Sequence, residues 1–197
     1  MYAPEAGPVR WKPSVYEGIL LATMYIFLFG LVYNAKMVGE ERPLKSCLDL
    51  IDPKWKGKII MRSPLVKGAA RYGLISAWKY VFKEDLSAWE DYCKKLATQV
   101  ARYETEPAMF MQSIGLGEFP IGFIDSDLTT AQYREKFPDL RWAPFDDLVW
   151  GVPVNIHINK FAEHPNAARL FYEFVLSPEG QKIGTQQGVS QIWLMLS

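Results

Sequence analysis

The sequence predicts an α/β layer architecture with parallel strands. Two observations carry this. Short β-branched runs such as Ile59-Ile60-Met61 and Ile121-Gly122-Phe123-Ile124 alternate with amphipathic segments of helical period. Such alternation, with helical segments of roughly 10–15 residues, is the pattern of βα units. Second, the junctions carry turn and capping chemistry, as at Asp125-Ser126-Asp127 and Ser177-Pro178-Glu179. The 197 residues are 49% hydrophobic and 22% charged, ordinary for a soluble globular chain of one large or two small domains.

Residues 1–17 contain Pro4, Pro8 and Pro13 and have no apolar period, so they read as an extended arm. Residues 19–33 read as one or two buried strands, rich in aromatic and β-branched residues with glycine punctuation. Gly18 to Ala35 is uncharged but short of the roughly 20 apolar residues of a membrane helix. Asn34 to Pro43 is a polar connector, Leu44–Ile51 a short helix ended by Asp52-Pro53, and Lys54-Trp55-Lys56-Gly57-Lys58 a turn.

Ile59–Met61 is a strand, and the loop from Arg62 to Lys67 leads into a helix over about Gly68–Phe82. A second helix follows Asp85, with Leu86, Trp89, Cys93 and Leu96 on one face. Val100–Tyr103 is a strand. Pro107 opens a helix that Gly115 and Gly117 end. Ile121–Ile124 is a buried strand followed by a capped helix. Leu140–Phe145 and Val149–Ile158 are strands, His157 being a structural member of the latter. His164-Pro165 starts a helix with Ala168, Phe171, Phe174 and Val175 facing inward, and Ser177 caps the last one.

Lysine plus arginine (22) equals aspartate plus glutamate (22), so net charge offers no case for nucleic acid or an anionic membrane. Cys47 and Cys93 have neither the spacing nor the histidines of a zinc site, and either one disulfide or two thiols fits them. No secretory leader pattern is found at the amino terminus. No Gly-x-Ser-x-Gly elbow or H-E-x-x-H motif occurs, and neither histidine has an evident catalytic partner, so no catalytic residue is assigned.

Ligands of open α/β sheets bind beyond the carboxyl ends of strands, near helix N-termini. Three junctions qualify. Around Ser63 and Gly68-Ala69 a hydroxyl and an approachable backbone lie among Arg62, Lys67 and Arg71. At Thr105 a hydroxyl either caps the helix or meets a ligand. At Asp125 and Asp127 two carboxylates suit a cation or a hydrogen-bonding solute, the ordinary alternative being a cap and a solvated acid.

Four stretches in order resemble the extracellular solute-binding proteins of ABC importers, in the ferric-iron and polyamine branch of the type II periplasmic-binding fold. They are Val32-Tyr33-Asn34-Ala35-Lys36-Met37-Val38, Asp49-Leu50-Ile51-Asp52-Pro53-Lys54-Trp55-Lys56-Gly57-Lys58-Ile59, Gly117-Glu118-Phe119-Pro120-Ile121-Gly122, and His164-Pro165-Asn166-Ala167-Ala168-Arg169-Leu170-Phe171 with its continuation to Gln181. The resemblance implies two lobes joined by crossover strands: residues 1–38 as arm and first crossover, 39–147 as the complete second lobe, and 148–197 as return crossover and helices of a partial first lobe.

It also implies a periplasmic or extracellular protein that binds a small polar solute between its lobes and delivers it to ABC permease subunits. The expected ligand residues are Ser63, Gly68, Ala69, Thr105, Asp125 and Asp127, with Trp150 near the hinge, and no cofactor. The family carries more sequence before the crossover strand, so the chain reads as truncated, with homo-oligomerisation through the incomplete lobe. Where ferric-iron binders have adjacent tyrosines, Asp125-Ser126-Asp127 stands. The acids suit a polyamine and the basic loop an anion, and a metal complex also stays open. A sensory domain, or a small enzyme on the same fold, is the alternative.

Overall fold

The computed structural model describes residues 14–16 and 19–186. The arm's Pro4, Pro8 and Pro13 lie outside them. Contacts divide the chain into Leu28–Trp150 and a second unit drawn from Met1–Phe27 and Gly151–Ser197.

The strands are β1 (Ser14–Tyr16), β2 (Ile19–Asn34), β3 (Ile59–Arg62), β4 (Val100–Glu104), β5 (Ile121–Ser126), β6 (Leu140–Ala143) and β7 (Trp150–Ile156). The helices are α1 (Ala35–Val38), α2 (Ala69–Ser76), α3 (Leu86–Gln99), α4 (Pro107–Gly115), α5 (Asp127–Arg134), α6 (Pro165–Val175) and α7 (Pro178–Gln186).

In the Leu28–Trp150 unit the strand order is β6-β2-β5-β3-β4. β3 runs parallel to β4 and to β5, as short βα crossovers require. β2 is antiparallel to both β5 and β6, so the sheet is mixed, not wholly parallel as expected. Strand direction is a property of long-range pairing, which local pattern does not encode.

The period of two decides which residues face which layer. Leu31, Ile59, Met61, Ile121 and Phe123 enter one core with Tyr92 and Leu96 of α3. Their neighbours Val32 and Ile60 enter the other with Phe110, Met111 and Ile114 of α4, and Phe137 and Leu140. β5 is buried along its whole length. Gly122 lets α4 approach it, for a Cβ there would run into Ile114 and Phe110.

Some expectations need correction. The helix expected over Gly68–Phe82 breaks at Ser76 into a π turn (Ala77–Val81), closed by Phe82 N–H donating to the Ala77 carbonyl at 3.0 Å. Leu86 is 56% exposed, and Tyr92 takes the buried face of α3 instead, its hydroxyl donating to the Cys47 carbonyl at 2.8 Å. A satisfied hydroxyl makes that burial inexpensive. Cys47 and Cys93 are free thiols. Asp85 caps α3 through the Ala88 N–H, as its position predicts.

In the other unit β1 and β2 form an antiparallel pair (Ser14↔Leu21 to Tyr16↔Ile19), and Thr23 Oγ1 donates to Asn155 Oδ1 at 2.9 Å. β7 stops at Ile156, leaving His157 exposed beyond it rather than within the strand. Ser177 Oγ accepts from Gly180 N–H at the start of α7. α6 buries none of its residues. Phe171 and Phe174, expected inside, are exposed together with Leu170, while Ala168 and Val175 are half-buried.

Candidate functional site

The carboxyl ends of β3, β4 and β5 are brought side by side by parallel register, with Arg62 opposite Glu104 and Met61 opposite Phe123. Three helices start from the loops that follow. α2 begins at Gly68 and α4 at Glu106 without a side-chain cap, whereas Ser126 Oγ accepts from the Thr129 N–H at the start of α5. Uncapped first-turn N–H groups are donors available to an acceptor from outside the chain.

Arg62 dominates this edge. Its side chain is only 12% exposed, and it forms an ion pair with Asp125, with Nε 3.4 Å from Oδ2. Among the described residues, its buried Nε and Nη1 have no hydrogen-bond partner. A buried guanidinium without acceptors is costly, because each donor lost its water on folding. Asp125 is buried as well; its Oδ1 accepts from the Ser126 N–H at 2.7 Å. Burial pushes the Asp125 carboxyl above its ordinary range, against the opposing pull of the Ser126 N–H, the Arg62 charge and Thr129.

The other expected residues divide. Ser63 is buried beside Arg62, its N–H bonded to the Glu104 carbonyl at 2.8 Å, with Oγ accepting from Leu65 N–H at a long 3.4 Å. Gly68 and Ala69 sit half-buried at the start of α2. Thr105 is exposed and does not cap α4, since Glu106 occupies that position.

Asp125 and Asp127 do not act as a carboxylate pair. Asp125 ends a strand and turns to Arg62, while Asp127 starts α5 and accepts with Oδ1 from the N–H groups of Leu28 (3.1 Å) and Leu128 (2.8 Å). Among the described residues no group of three acidic, histidine or cysteine side chains could hold a metal ion.

Trp150 belongs to an aromatic wall that sequence spacing does not reveal. Its ring stacks on Phe29 at 4.2 Å and 6°, and Tyr72 meets it edge-on at 6.2 Å. Phe29 is the register partner of Ser126, which places the wall next to Asp125. At Gly73, α2 passes close to Ile124 and the Trp150 indole nitrogen, at distances where a Cβ would make ordinary contact. That nitrogen is buried without a hydrogen-bond acceptor. A concavity of about 530 Å³, lined by Met37, Pro43, Trp55, Lys58 and Pro120 among others, lies toward the opposite ends of β3 and β5.

The model of the bacterial extracellular solute-binding protein family matches residues 30–190. The chain belongs to that family. The match spans β3, β4 and β5 and the edge that carries Arg62 and Asp125. A family relative, an uncharacterised protein of Haemophilus influenzae, is 26% identical over 183 residues, 91% of this chain and 51% of its own length.

Among solved structures, the periplasmic binding protein AfuA of Actinobacillus pleuropneumoniae, with exogenous fructose 6-phosphate bound, is 26% identical. It superposes with a TM-score of 0.65 over 89% of this chain and 55% of its own. The spermidine/putrescine-binding protein PotD of Streptococcus pneumoniae, at 21% identity, shares the fold with a TM-score of 0.71 over 89% of this chain and 54% of its own. The first is a periplasmic binding protein and the second an ABC-transporter substrate-binding protein. The chain thus spans about half the length of the relatives it matches.

Sequence reasoning passed over Arg62 as one charge of a basic loop, and missed Phe29 and Tyr72 altogether. The available signal for Arg62 was its place as the last residue of a buried strand run, immediately before Ser63-Pro64.

Proposed function

We propose that this chain is a ligand-binding part of an ABC importer's solute-binding protein, that its solute is an oxyanion, and that Arg62 holds that oxyanion. The observation that carries the reading is the buried guanidinium whose Nε and Nη1 have no hydrogen-bond partner among the described residues. A phosphate or carboxylate presents paired oxygens that match a guanidinium fork. Ser63 and the uncapped N-terminus at Gly68-Ala69 supply further donors, and Trp150 with Tyr72 offers a flat surface for an attached ring.

Support from outside the chain comes from AfuA, whose bound molecule is a phosphate ester. A polyamine would need carboxylates turned outward. Here Asp125 faces Arg62 and Asp127 accepts two backbone N–H groups. Thr105 stays a candidate contact at the rim, and the role is binding without catalysis.

On this reading the Leu28–Trp150 unit is the second lobe and the protein works in the periplasm or outside the cell with permease subunits as partners. Leu170, Phe171 and Phe174 expose a helical stripe on a chain of zero net charge. That supports self-association through α6, with no like-charge repulsion to oppose it.

Thermal unfolding in the presence of fructose 6-phosphate, inorganic phosphate or spermidine tests the reading. A solute at about 100 times its Kd adds about 2.7 kcal/mol of stability. The phosphate ester should raise Tm and spermidine should not; the reverse result refutes the assignment.

A further inference from the structure

We propose that the site takes up its oxyanion together with a proton: Arg62 leaves Asp125 for the solute, and Asp125, deprived of its counter-charge, is protonated from solvent. This rests on the oxyanion reading above and adds a regulation to it. The charge balance is simple. Before binding, Arg62 is cationic and Asp125 anionic. Afterwards the cation faces the solute's negative oxygens, and the carboxylate has gained one proton and become neutral.

Geometry supports the exchange. The Arg62–Asp125 contact is an ion pair at 3.4 Å without a hydrogen bond, so little directional bonding is lost when the guanidinium turns. Nε and Nη1 have no hydrogen-bond partner among the described residues, so turning the guanidinium breaks no hydrogen bond of theirs. Among the described residues, Arg62 is the cation paired with Asp125. On β2 the register partner of Asp125 is Gly30. From β6 the Trp142 indole donates to its main-chain carbonyl at 3.2 Å.

On α5, Asp127 is acidic and bound to backbone N–H groups, and Thr129 is neutral. On α2, Arg71 donates to the carbonyls of Pro64 and Leu65. Phe110 and Ile114 of α4 pack on Gly122 of the same strand. A buried carboxylate left with only the Ser126 N–H and the Thr129 hydroxyl, both neutral donors, takes a proton in preference to staying charged. The carboxyl is already displaced upward before the solute arrives, which shortens the step.

The test is calorimetric titration of the whole chain with fructose 6-phosphate between pH 6 and 8. It is run in paired buffers of different ionisation enthalpy, for wild type and Asp125→Asn. The variant reports the ester's own titration, so the difference isolates Asp125. Wild type should take up between about 0.3 and 1 proton more per solute than the variant, and its affinity should fall by up to about tenfold per pH unit where the variant's does not. The variant should also bind more tightly at pH 8, having no carboxylate to compete for Arg62.

Equal proton uptake and parallel pH profiles would overturn the proposal while leaving the oxyanion reading intact. Absence of heat and of thermal stabilisation in both proteins would remove both. Should Asp125→Asn fail to fold, fructose 6-sulfate keeps the question open to wild type alone, since its ester is a permanent anion. Proton uptake with the sulfate supports the exchange, and binding without uptake refutes it.

Discussion

Replacing Arg62 by methionine should destabilise the protein by an amount that depends on pH. Methionine keeps most of the apolar stem and removes the charge. At pH 8 it leaves Asp125, 8% exposed, as a buried carboxylate without its cation. Breaking a buried pair from one side costs about 3–5 kcal/mol.

The cost is not constant. The Asp125 carboxyl already lies above its ordinary 3.8, so the folded state binds its proton more tightly than the unfolded chain does. Its contribution to stability is therefore fully present below the unfolded value and is lost as pH rises through the folded one. Without Arg62 the folded value climbs further and the window of loss widens, by about 1.4 kcal/mol for each unit of added shift.

Near pH 4 the variant should match wild type or exceed it slightly, because an unsatisfied buried guanidinium has gone. Between pH 4.5 and 8 the deficit should open to about 2–4 kcal/mol. Urea unfolding followed by circular dichroism across that range measures it. Adding Asp125→Asn to the variant should recover most of the deficit at pH 8. A deficit independent of pH, or no recovery in the double variant, would refute the reasoning.

Three further outcomes are expected. Gly30→Ala should cost at least about 1–3 kcal/mol in urea unfolding, because its Cβ would meet the Ala143 carbonyl, a backbone atom that cannot swing aside. Cys47 should resist alkylation in the folded protein while Cys93 reacts faster, because burial and the neighbouring Asp147 push the Cys47 thiol far up; both should react at comparable rates in urea, as mass spectrometry would record. Phe171→Asp with Phe174→Asp should shift sedimentation toward monomer, since both rings are exposed on one side of α6; an unchanged oligomer would exclude that stripe as the interface.

Much of the fold was legible because local rules decide it. The period of two in Ile59-Ile60-Met61 sends alternate side chains to two different cores, and that split is observed. Asp85, Pro107 and Ser177 mark helix starts where the structure has them. What was hidden depends on distant partners. The antiparallel course of β2 follows from pairing Leu31 with both Phe123 and Ala143, residues far along the chain.

The site was half legible. Strand-to-helix junctions pointed to Ser63, Gly68-Ala69 and Asp125. Yet spacing alone made Asp125 and Asp127 a pair, and the change from strand to helix between them turns the two carboxylates to different partners. The decisive property of Arg62, donors without acceptors, exists only in three dimensions.

The central claim is that Arg62 holds an oxyanion. Isothermal titration of fructose 6-phosphate into wild type and Arg62→Met at pH 6, with circular dichroism showing that the variant is folded, tests it most directly. The account predicts binding to wild type and a loss of at least about 2–3 kcal/mol, some thirtyfold or more in Kd, in the variant. Equal affinity for the two proteins would contradict it.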